Sequence, residues 1–323
     1  MAFKDTSLGA DGAPARPLQS HPWLWGLIEQ ARAHGPLPVA VANPCDLASL
    51  GAATEAARMG LVTPILVGSR DRIQAAAGVG GIDIAGFALH DTVDDAQAAA
   101  SAAVALCREG VAAALMKGSL HSDELLAAAL AREAGLRTGR RTSHAFVMDV
   151  PGFDRPLLLT DCVVNIEPGL TDKRDIAQNA IAFAHAIGIA LPRVAILAAV
   201  ETVNPAMPST VDAAALCKMA DRGQITGALL DGPLAFDNAI SAESARNKSI
   251  VSVVAGRPDV LLVPNLEAGN MLYKQLVYMA GAECAGLVLG MRVPIVLTSR
   301  SDSITSRIAS CALAVLVRAR AAR

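Results

Sequence analysis

A group of reactive side chains follows an apolar run near the carboxyl end of the chain. Directly after residues 294–298 come Ser299, Arg300 and Asp302, and an apolar pattern at helical spacing then begins at Ile304. A helix N-terminus presents free N–H groups and a partial positive charge that can hold an anion. Arginine adds a donor fork suited to phosphate, and a carboxylate can act as a base. A plainly capped helix with Arg300 in solvent fits the same residues, and the sequence alone leaves both interpretations open.

A second polar group opens another candidate helix after the apolar run 259–263. Its members are Asn265, Gly269, Asn270 and Lys274. A glycine lets a ligand approach the backbone closely, and the amide and ammonium groups can bond a polar substrate. The alternative is an N-capped helix whose glycine serves only packing.

A third group follows the apolar run 112–116. Lys117, Gly118 and Ser119 resemble a turn that grasps a phosphate or a carboxylate. A lysine at the end of a strand is also often simply solvated. These two interpretations likewise remain open.

The elements that must position these groups alternate between short runs rich in Val, Ile and Leu and longer segments of helical periodicity. The apolar runs are residues 38–42, 64–67, 112–116, 194–200, 227–230, 259–263, 286–289 and 294–298. Such alternation predicts a parallel sheet with helices on both faces. Because the loops that follow parallel strands meet at the carboxyl edge, where ligands bind, the three groups are expected at one cleft.

One region near the middle of the chain breaks this pattern. Residues 145–150 and 156–160 flank a turn that contains Pro151 and Gly152, which predicts an antiparallel hairpin. The segment Asp231-Gly232-Pro233 is expected to be a loop after a further strand. The hinge between two domains is expected at residues 143–150.

Composition excludes several classes of protein. Hydrophobic residues make up 53% of the 323 residues, which excludes a wholly disordered chain. Aromatic residues are 3% and the net charge is −2, so a nucleic acid is not expected as a partner. The sequence contains no run of 18 apolar residues, so no membrane span is predicted. Residues 1–20 have no apolar signal-peptide core and are expected to be mobile.

The six cysteines and six histidines form no recognisable metal or catalytic motif. The sequence contains no P-loop, no GxGxxG, no GxSxG and no HExxH. The cysteines are therefore expected to be small buried residues of a cytoplasmic protein. His144, beside the expected hinge, is the one histidine of interest, with a hydrogen-bonded structural role as the alternative.

Taken together and in this order, the segments resemble the phosphate acetyltransferase and phosphate butyryltransferase family. The strongest match is Pro264-x-Leu266-x-x-Gly269-Asn270-x-x-Tyr273-Lys274. Further matches, in chain order, are Met116-Lys117-Gly118, Leu136-Arg137-Thr138-Gly139-Arg140, Thr160-Asp161-x-x-Val164-Asn165, Glu201-x-Val203-Asn204-Pro205, Asp231-Gly232-Pro233-Leu234 and Ser299-Arg300. Each segment is weakly specific, and the ordered set is highly specific.

The resemblance implies a fold of two three-layer αβα domains, like those of isocitrate and isopropylmalate dehydrogenases, with an interdomain cleft. Domain I would comprise residues 1–147 and 298–323, and domain II residues 148–297. It also implies a homodimer that transfers an acetyl or butyryl group between coenzyme A and inorganic phosphate. Coenzyme A is then a substrate, and neither a metal nor a tightly bound cofactor is expected.

By the same resemblance, Ser299 and Arg300 would stabilise charge in the transition state. Substrate contacts would come from Lys117, Gly118, Ser119, Arg140, Asn265, Gly269, Asn270 and Lys274. The acetyltransferase branch has a carboxylate seven positions after the serine, where this chain has Ser306. Asp302, as in the butyryltransferase-like branch, is therefore the expected base for the coenzyme A thiol.

Two other functions remain open from the sequence. One is a hydroxy-acid dehydrogenase of the related fold that uses NAD and a divalent metal, although its paired aspartates on a helix are not apparent. The other is a non-catalytic coenzyme A-binding protein, because the residues of a site can be kept for binding alone.

Overall fold

The computed structural model describes residues 21–299 and 302–322. They form two compact units. Unit 1 contains the described residues up to Gly139 and from Ala285 onward, and unit 2 is Arg140–Cys284. The predicted mobility of residues 1–20 concerns a segment outside the described residues.

Unit 1 contains a six-stranded sheet in the order β3-β2-β1-β4-β11-β10. With numbers that run along the chain, its strands are β1 Leu37–Ala42, β2 Val62–Gly68, β3 Ala88–Asp91, β4 Ala114–Lys117, β10 Glu283–Leu289 and β11 Ile295–Val296. Strands β1 to β4 and β11 pair in parallel, and β10 pairs with β11 in the antiparallel sense. The pairing of β11 with β4 places residues 285–297 in unit 1, whereas the sequence-based boundary assigned them to domain II.

Helices cover the sheet of unit 1. They are α1 Pro22–Arg32, α2 Leu47–Arg58, α3 Arg70–Gly80, α4 Ala96–Arg108, α5 Ser122–Leu130 and α11 Ile304–Ala321, with a short 3-10 helix at Arg132–Ala134. Helix α11 packs on α1, α2 and β11. Every residue from Thr305 to Leu316 is buried, so α11 lies in the interior of the unit.

The strands of unit 2 follow the order β5-β6-β9-β7-β8. The strands are β5 Ser143–Asp149, β6 Leu157–Thr160, β7 Arg193–Leu197, β8 Leu229–Leu234 and β9 Val260–Leu262. The predicted hairpin is present, because β5 and β6 pair in the antiparallel sense with Ala145 opposite Thr160. The other neighbouring strands run parallel.

The helices of unit 2 are α6 Leu170–Ala186, α7 Pro208–Asp221, α8 Phe236–Ile240, α9 Ala242–Asn247 and α10 Leu266–Ala280. Helix α10 fully buries only Gly269. Its half-buried apolar side chains, which include Leu272 and Leu276, pack on a core formed by the strands of this unit. Unlike α11, α10 is therefore a surface helix.

Each of the eight predicted apolar runs overlaps an observed strand, and the predicted α/β class is confirmed. The sequence missed β3, a short edge strand that is mostly exposed and so has no apolar run. The expectation of a loop at residues 231–233 is wrong. These residues continue β8, and proline is tolerated there because β8 lies at the edge of the sheet.

Candidate active site

Three loops of unit 1 meet at one edge of its sheet. Strands β1, β4 and β11 are neighbours and run parallel, so their carboxyl ends share that edge. The side-chain amide of Asn43, after β1, donates to the carbonyl of Ser119, after β4, over 2.9 Å. The Ser119 amide donates in return to the Asn43 carbonyl over 2.8 Å. These bonds tie the first two loops together.

Gly118 is required by this close approach. A Cβ atom at residue 118 would lie against the carbonyl oxygen of Ala42 and 2.7 Å from that of Asn43. Both atoms belong to the backbone and have little room to move. The packing of the protein itself thus explains the glycine, whatever ligand the loop binds.

Lys117 is buried, with 4% of its surface exposed. Its ammonium group donates to the carbonyl of Leu120 over 3.1 Å. The solvated interpretation of this lysine is therefore wrong. The side chain places a positive charge within the loop that follows β4.

The third loop leads into α11 and carries the predicted catalytic residues. The Asp302 carboxylate accepts from the Ser299 amide over 2.7 Å, and the Asp302 amide donates to the Ser299 carbonyl over 3.2 Å. Ser303 is the N-cap of α11 and accepts from the Ser306 amide over 2.9 Å. Ser299 is exposed at the surface of unit 1. Arg300 lies outside the described residues, so its predicted role stays a prediction.

A buried arginine supports this turn from inside the unit. Arg307, in the first turns of α11, is 4% exposed. Its guanidinium donates to the Thr298 hydroxyl over 3.1 Å and to the Ser299 carbonyl over 2.7 Å. The sequence reasoning missed Arg307. A usable signal was present, because Arg307 is the one charged residue in the stretch from Thr305 to Leu316.

Asp46, after β1, is a second residue that the sequence reasoning missed. Burial raises the pKa of this carboxyl, but the Ser49 amide, the Ser119 hydroxyl and the Arg307 guanidinium outweigh burial and lower the pKa below its usual value. Asp46 is therefore ionised at neutral pH. It is also the N-cap of α2, since it accepts from the Ser49 amide over 2.7 Å.

Ser306 occupies the position where a carboxylate is expected in the acetyltransferase branch. It is 3% exposed, and its carbonyl accepts from the Ser310 hydroxyl over 2.7 Å. Ser306 is thus part of the buried face of α11. Asp302, at the exposed start of the helix, remains the candidate for the base.

In unit 2 the loop after β9 begins α10 with a capped turn. The side-chain oxygen of Asn265 accepts from the Ala268 amide over 3.0 Å, and its amide donates to Glu167 over 3.3 Å. A Cβ atom at Gly269 would lie 2.7 Å from Val263 and 2.9 Å from the sulfur of Cys162. The structure therefore shows Asn265 as the N-cap of α10 and Gly269 as a packing residue, as the alternative interpretation expected.

Asn270 and Lys274 lie one turn apart on α10. The Asn270 amide donates to the carbonyl of Cys162 over 3.2 Å, which joins α10 to the loop after β6. Lys274 is exposed and has no hydrogen bond or ion pair with the part of the chain that the structure describes. Its ammonium group is thus available to an anionic ligand on this face of unit 2.

The loop after β6 is built around a buried carboxylate. Asp161 accepts from the amides of Val163, Val164 and Asn165 over 2.9–3.2 Å. Burial raises the pKa of Asp161, although these hydrogen bonds oppose the shift. The matched segment that runs from Thr160 to Asn165 thus shapes the loop beneath α10.

Arg140 and His144 lie elsewhere in unit 2. Burial raises the pKa of the Asp175 carboxyl. Hydrogen bonds from Arg141 and Arg174, together with the charges of Arg174 and Arg140, outweigh burial and lower this pKa below its usual value. Arg140 therefore lies near Asp175, at the surface. Burial lowers the pKa of His144 to about 3. Its ring nitrogens have no partner within the described residues, and the ring packs on Phe146 with centroids 4.4 Å apart.

Each unit thus gathers its own group of predicted site residues. Unit 1 brings together Lys117, Gly118, Ser119, Ser299 and Asp302. Unit 2 brings together Asn265, Gly269, Asn270 and Lys274, and Arg140 is the first residue of that unit. Among residues 21–299 and 302–322, no three or more His, Cys, Asp or Glu side chains are arranged to hold a metal ion.

Known proteins of one family are similar to this chain over most of its length. Residues 88–315 match the family model described as phosphate acetyl/butaryl transferase. A phosphate acetyltransferase of Rhizobium meliloti is 58% identical over 294 residues, which are 91% of this chain and 93% of that protein. A phosphate butyryltransferase of Clostridium beijerinckii is 45% identical over 282 residues, which are 87% of this chain and 93% of that protein.

Solved structures show the same likeness. A branched-chain phosphotransacylase from Enterococcus faecalis V583 superimposes with a TM-score of 0.76 at 30% identity, over 87% of this chain and 99% of that one. A 4-hydroxythreonine-4-phosphate dehydrogenase from Klebsiella pneumoniae gives a TM-score of 0.52 at 14% identity, over 88% and 99% of the two chains. The second match concerns the fold alone, and it bears out the predicted likeness to dehydrogenases.

The family model and the relatives identify an α/β acyltransferase. The chain belongs to the phosphate acetyl/butyryl transferase family. The resemblance drawn from the sequence motifs is therefore confirmed, and a NAD-dependent dehydrogenase is not favoured. No helix of the described residues is long and apolar enough to cross a membrane.

Proposed function

We propose that this chain transfers a short acyl group, acetyl or butyryl, between coenzyme A and inorganic phosphate. The reaction is acyl-CoA + phosphate ⇌ acyl phosphate + CoA. The observation that carries the proposal is the turn at the start of α11, where exposed Ser299 and the Asp302 carboxylate stand at a capped helix N-terminus. Family membership supports the same reaction.

Ser299 and the α11 N-terminus would act on the charge that develops when phosphate attacks the thioester carbonyl. The bond from phosphate oxygen to the acyl carbon forms, and the carbon–sulfur bond breaks with its electron pair on sulfur. A hydroxyl and the N–H groups of a helix start stabilise such charge without rearranging. The Arg300 guanidinium is proposed to bind two phosphate oxygens through a bidentate pair of hydrogen bonds.

Lys117, Gly118 and Ser119 are proposed to line the phosphate side of the unit 1 site. The buried ammonium group of Lys117 makes the loop after β4 attractive to an anion. In unit 2, Asn265, Gly269, Asn270, Lys274 and Arg140 are proposed to contact coenzyme A. The exposed cation of Lys274 supports this assignment, because coenzyme A carries several phosphates.

Asp302 is the proposed base that takes the proton from the coenzyme A thiol in the direction of acyl-CoA synthesis. In Asp302→Asn the side-chain oxygen can still accept from the Ser299 amide, so the turn is kept while the base is lost. We expect kcat for this direction to fall much more than coenzyme A binding weakens. A free thiol has a pKa near 8.5, so the deficit should shrink as the pH approaches about 9. A deficit that is constant across pH would remove Asp302 as the base.

Purified protein mixed with acetyl-CoA or butyryl-CoA, phosphate and EDTA provides the decisive assay. Thiol release that depends on phosphate supports the proposed reaction and the absence of a metal or bound cofactor. Activity that needs NAD and Mg²⁺ would favour a dehydrogenase, and coenzyme A binding without turnover would favour a non-catalytic binding protein. The ratio of kcat/KM for the two acyl-CoAs decides the chain length.

The chain is also proposed to act as a homodimer in the cytoplasm. Six free thiols support a reducing compartment. Helix α10 exposes Met271, Tyr278 and Met279, the last at 81%, which supports a covered apolar face. Light scattering should give twice the chain mass of 33.2 kDa. Met279→Lys should lower that mass, whereas the equally exposed Val79→Lys in unit 1 should leave it unchanged.

A further inference from the structure

Arg307 is a charged side chain in the most buried helix of unit 1. Burial of a guanidinium is unfavourable unless hydrogen bonds and an opposite charge compensate it. Here the Thr298 hydroxyl and the Ser299 carbonyl accept from its two terminal nitrogens over 3.1 and 2.7 Å. Its third nitrogen points to the Asp302 carbonyl at 3.5 Å. All three acceptors belong to the single turn that carries Ser299.

A negative charge in the loop after β1 is influenced by Arg307. The charge of Arg307 acts on the Asp46 carboxyl, which also takes a hydrogen bond from the Ser119 hydroxyl. The Asp46 carboxyl thus lies within the electrostatic reach of Arg307. Since a buried guanidinium adds little net stability compared with apolar packing, its presence in α11 calls for another reason.

The geometry of the guanidinium supplies that reason. A planar fork can hold two acceptors in a fixed direction, which the single ammonium group of lysine cannot do. We propose that Arg307 is a positioning residue of the acyl-transfer site, whose guanidinium fixes Thr298, Ser299 and Asp302. This inference rests on the proposed function, because the turn is assigned there to the reacting groups.

The position of a catalytic group affects the rate more than it affects binding. A displacement of about 1 Å can lower a rate roughly 100-fold. We therefore expect Arg307→Met to lower kcat by about 100-fold while KM for phosphate and acyl-CoA stays within about threefold. Arg307→Lys keeps the charge without the fork and should lose about tenfold.

The matched control is Arg318→Ala. Arg318 lies on the same helix but is only half-buried, and it donates to the Arg292 carbonyl over 3.3 Å, away from the turn. Its kcat should equal that of the wild-type protein. If a folded Arg307→Met variant keeps wild-type kcat, or loses affinity with kcat unchanged, the inference is wrong.

Loss of the buried charge can also prevent folding, so urea unfolding of each variant accompanies the kinetics. If Arg307→Met does not fold, the double variant Asp46→Asn/Arg307→Met removes both charges and takes its place. A positioning role predicts the same roughly 100-fold loss of kcat in that folded double variant. If the double variant has wild-type kcat, Arg307 serves only to neutralise the charge of Asp46, and the positioning role is wrong.

Hydrogen exchange separates this inference from the proposed reaction. In the peptide 297–303, exchange should be about tenfold faster in Arg307→Met and unchanged in Arg318→Ala. A wild-type protein inactive with both acyl-CoAs would end the proposed function, while this measurement would still decide whether Arg307 holds the turn. Equal exchange in all three proteins would overturn the positioning role.

Discussion

The starts of α11 and α10 are built from the same local pattern but are supported in different ways. Each follows a short buried strand, and each has a polar N-cap, Ser303 in α11 and Asn265 in α10. The α11 turn is held from inside by the Arg307 guanidinium. The α10 turn is held by close packing of Gly269 on Val263 and Cys162.

The difference follows from the burial of the two helices. Helix α11 is buried along twelve consecutive residues, so a charge within it must be matched by directed bonds. Helix α10 fully buries only Gly269 and keeps its polar side chains at the surface. We therefore expect the chemistry at the fixed turn of unit 1 and ligand binding on the α10 face of unit 2.

The largest expected effect tests this assignment of chemistry to unit 1 and binding to unit 2. Ser299→Ala removes the hydroxyl that we propose acts in the transition state, and it should lower kcat by roughly 100- to 1000-fold with little change in KM. Lys274→Ala should raise KM for acyl-CoA about fivefold and leave kcat unchanged, as expected for one surface charge. Steady-state kinetics with both substrates varied measures these effects.

Lys218→Ala is the control for Lys274, because Lys218 is an exposed lysine of the same unit that is paired with Asp221. It should behave like the wild-type protein. If Lys274→Ala lowers kcat as strongly as Ser299→Ala does, the assignment of chemistry to unit 1 and binding to unit 2 fails.

The two packed glycines give the next largest effect. In Gly118→Ala the new methyl group meets backbone oxygens of Ala42 and Asn43, and the free energy of unfolding should fall by about 3 kcal/mol or more. In Gly269→Ala it meets side chains of Val263 and Cys162 and lies 3.1 Å from the backbone oxygen of Asp161. Because the two nearest neighbours are side chains that can shift, a loss of about 1–2 kcal/mol is expected.

Urea unfolding measures both losses. Gly78→Ala in α3 has open space around the new methyl group and should instead gain roughly 0.5–1 kcal/mol. If Gly269→Ala lowers the free energy of unfolding as much as Gly118→Ala does, or more, then the Gly269 site is no more adaptable than the Gly118 site, and the contrast is wrong.

The smallest expected effect is a difference in pH dependence between Asp46 and Asp161. The pKa of Asp46 is lowered in the folded state, so its ionised form stabilises the protein above the unfolded pKa, and that stabilisation is lost as the pH falls. The pKa of Asp161 is raised, so the folded state binds its proton more tightly and the carboxyl becomes less unfavourable as the pH falls.

Unfolding free energies at pH 7 and pH 4 for wild type, Asp46→Asn and Asp161→Asn test the two signs. The advantage of wild type over Asp46→Asn should shrink toward pH 4, by less than about 1 kcal/mol because solvent screens this half-exposed group. Relative to Asp161→Asn, wild type should improve over the same range. Slopes of the same sign would show that burial does not govern Asp161.

Much of the fold follows from local patterns in the sequence. Apolar runs located the strands of both sheets except β3, whose exposed residues at the sheet edge carry no such pattern. The start of α11 at Ile304 and its cap at Ser303 follow from residue type and spacing. The motifs also identified the family, because their order along the chain is specific even where each one is weak.

The supporting residues of the site depend on contacts between distant parts of the chain. The burial of Lys117 and the bond between Asn43 and Ser119, which are 76 positions apart, arise when β4 pairs with β1. Likewise, residues 285–297 join unit 1 because β11 pairs with β4. No local pattern encodes such pairing.

By itself the sequence determined the α/β class, the family and the candidate residues Ser299 and Asp302, because these depend on residue type and local spacing. Only the tertiary structure decided that Arg307 bonds Thr298 and Ser299 and that Gly118 and Gly269 are closely packed. The physical reason is that burial and hydrogen bonding belong to the folded neighbourhood of a side chain, and that neighbourhood exists only once the strands have paired.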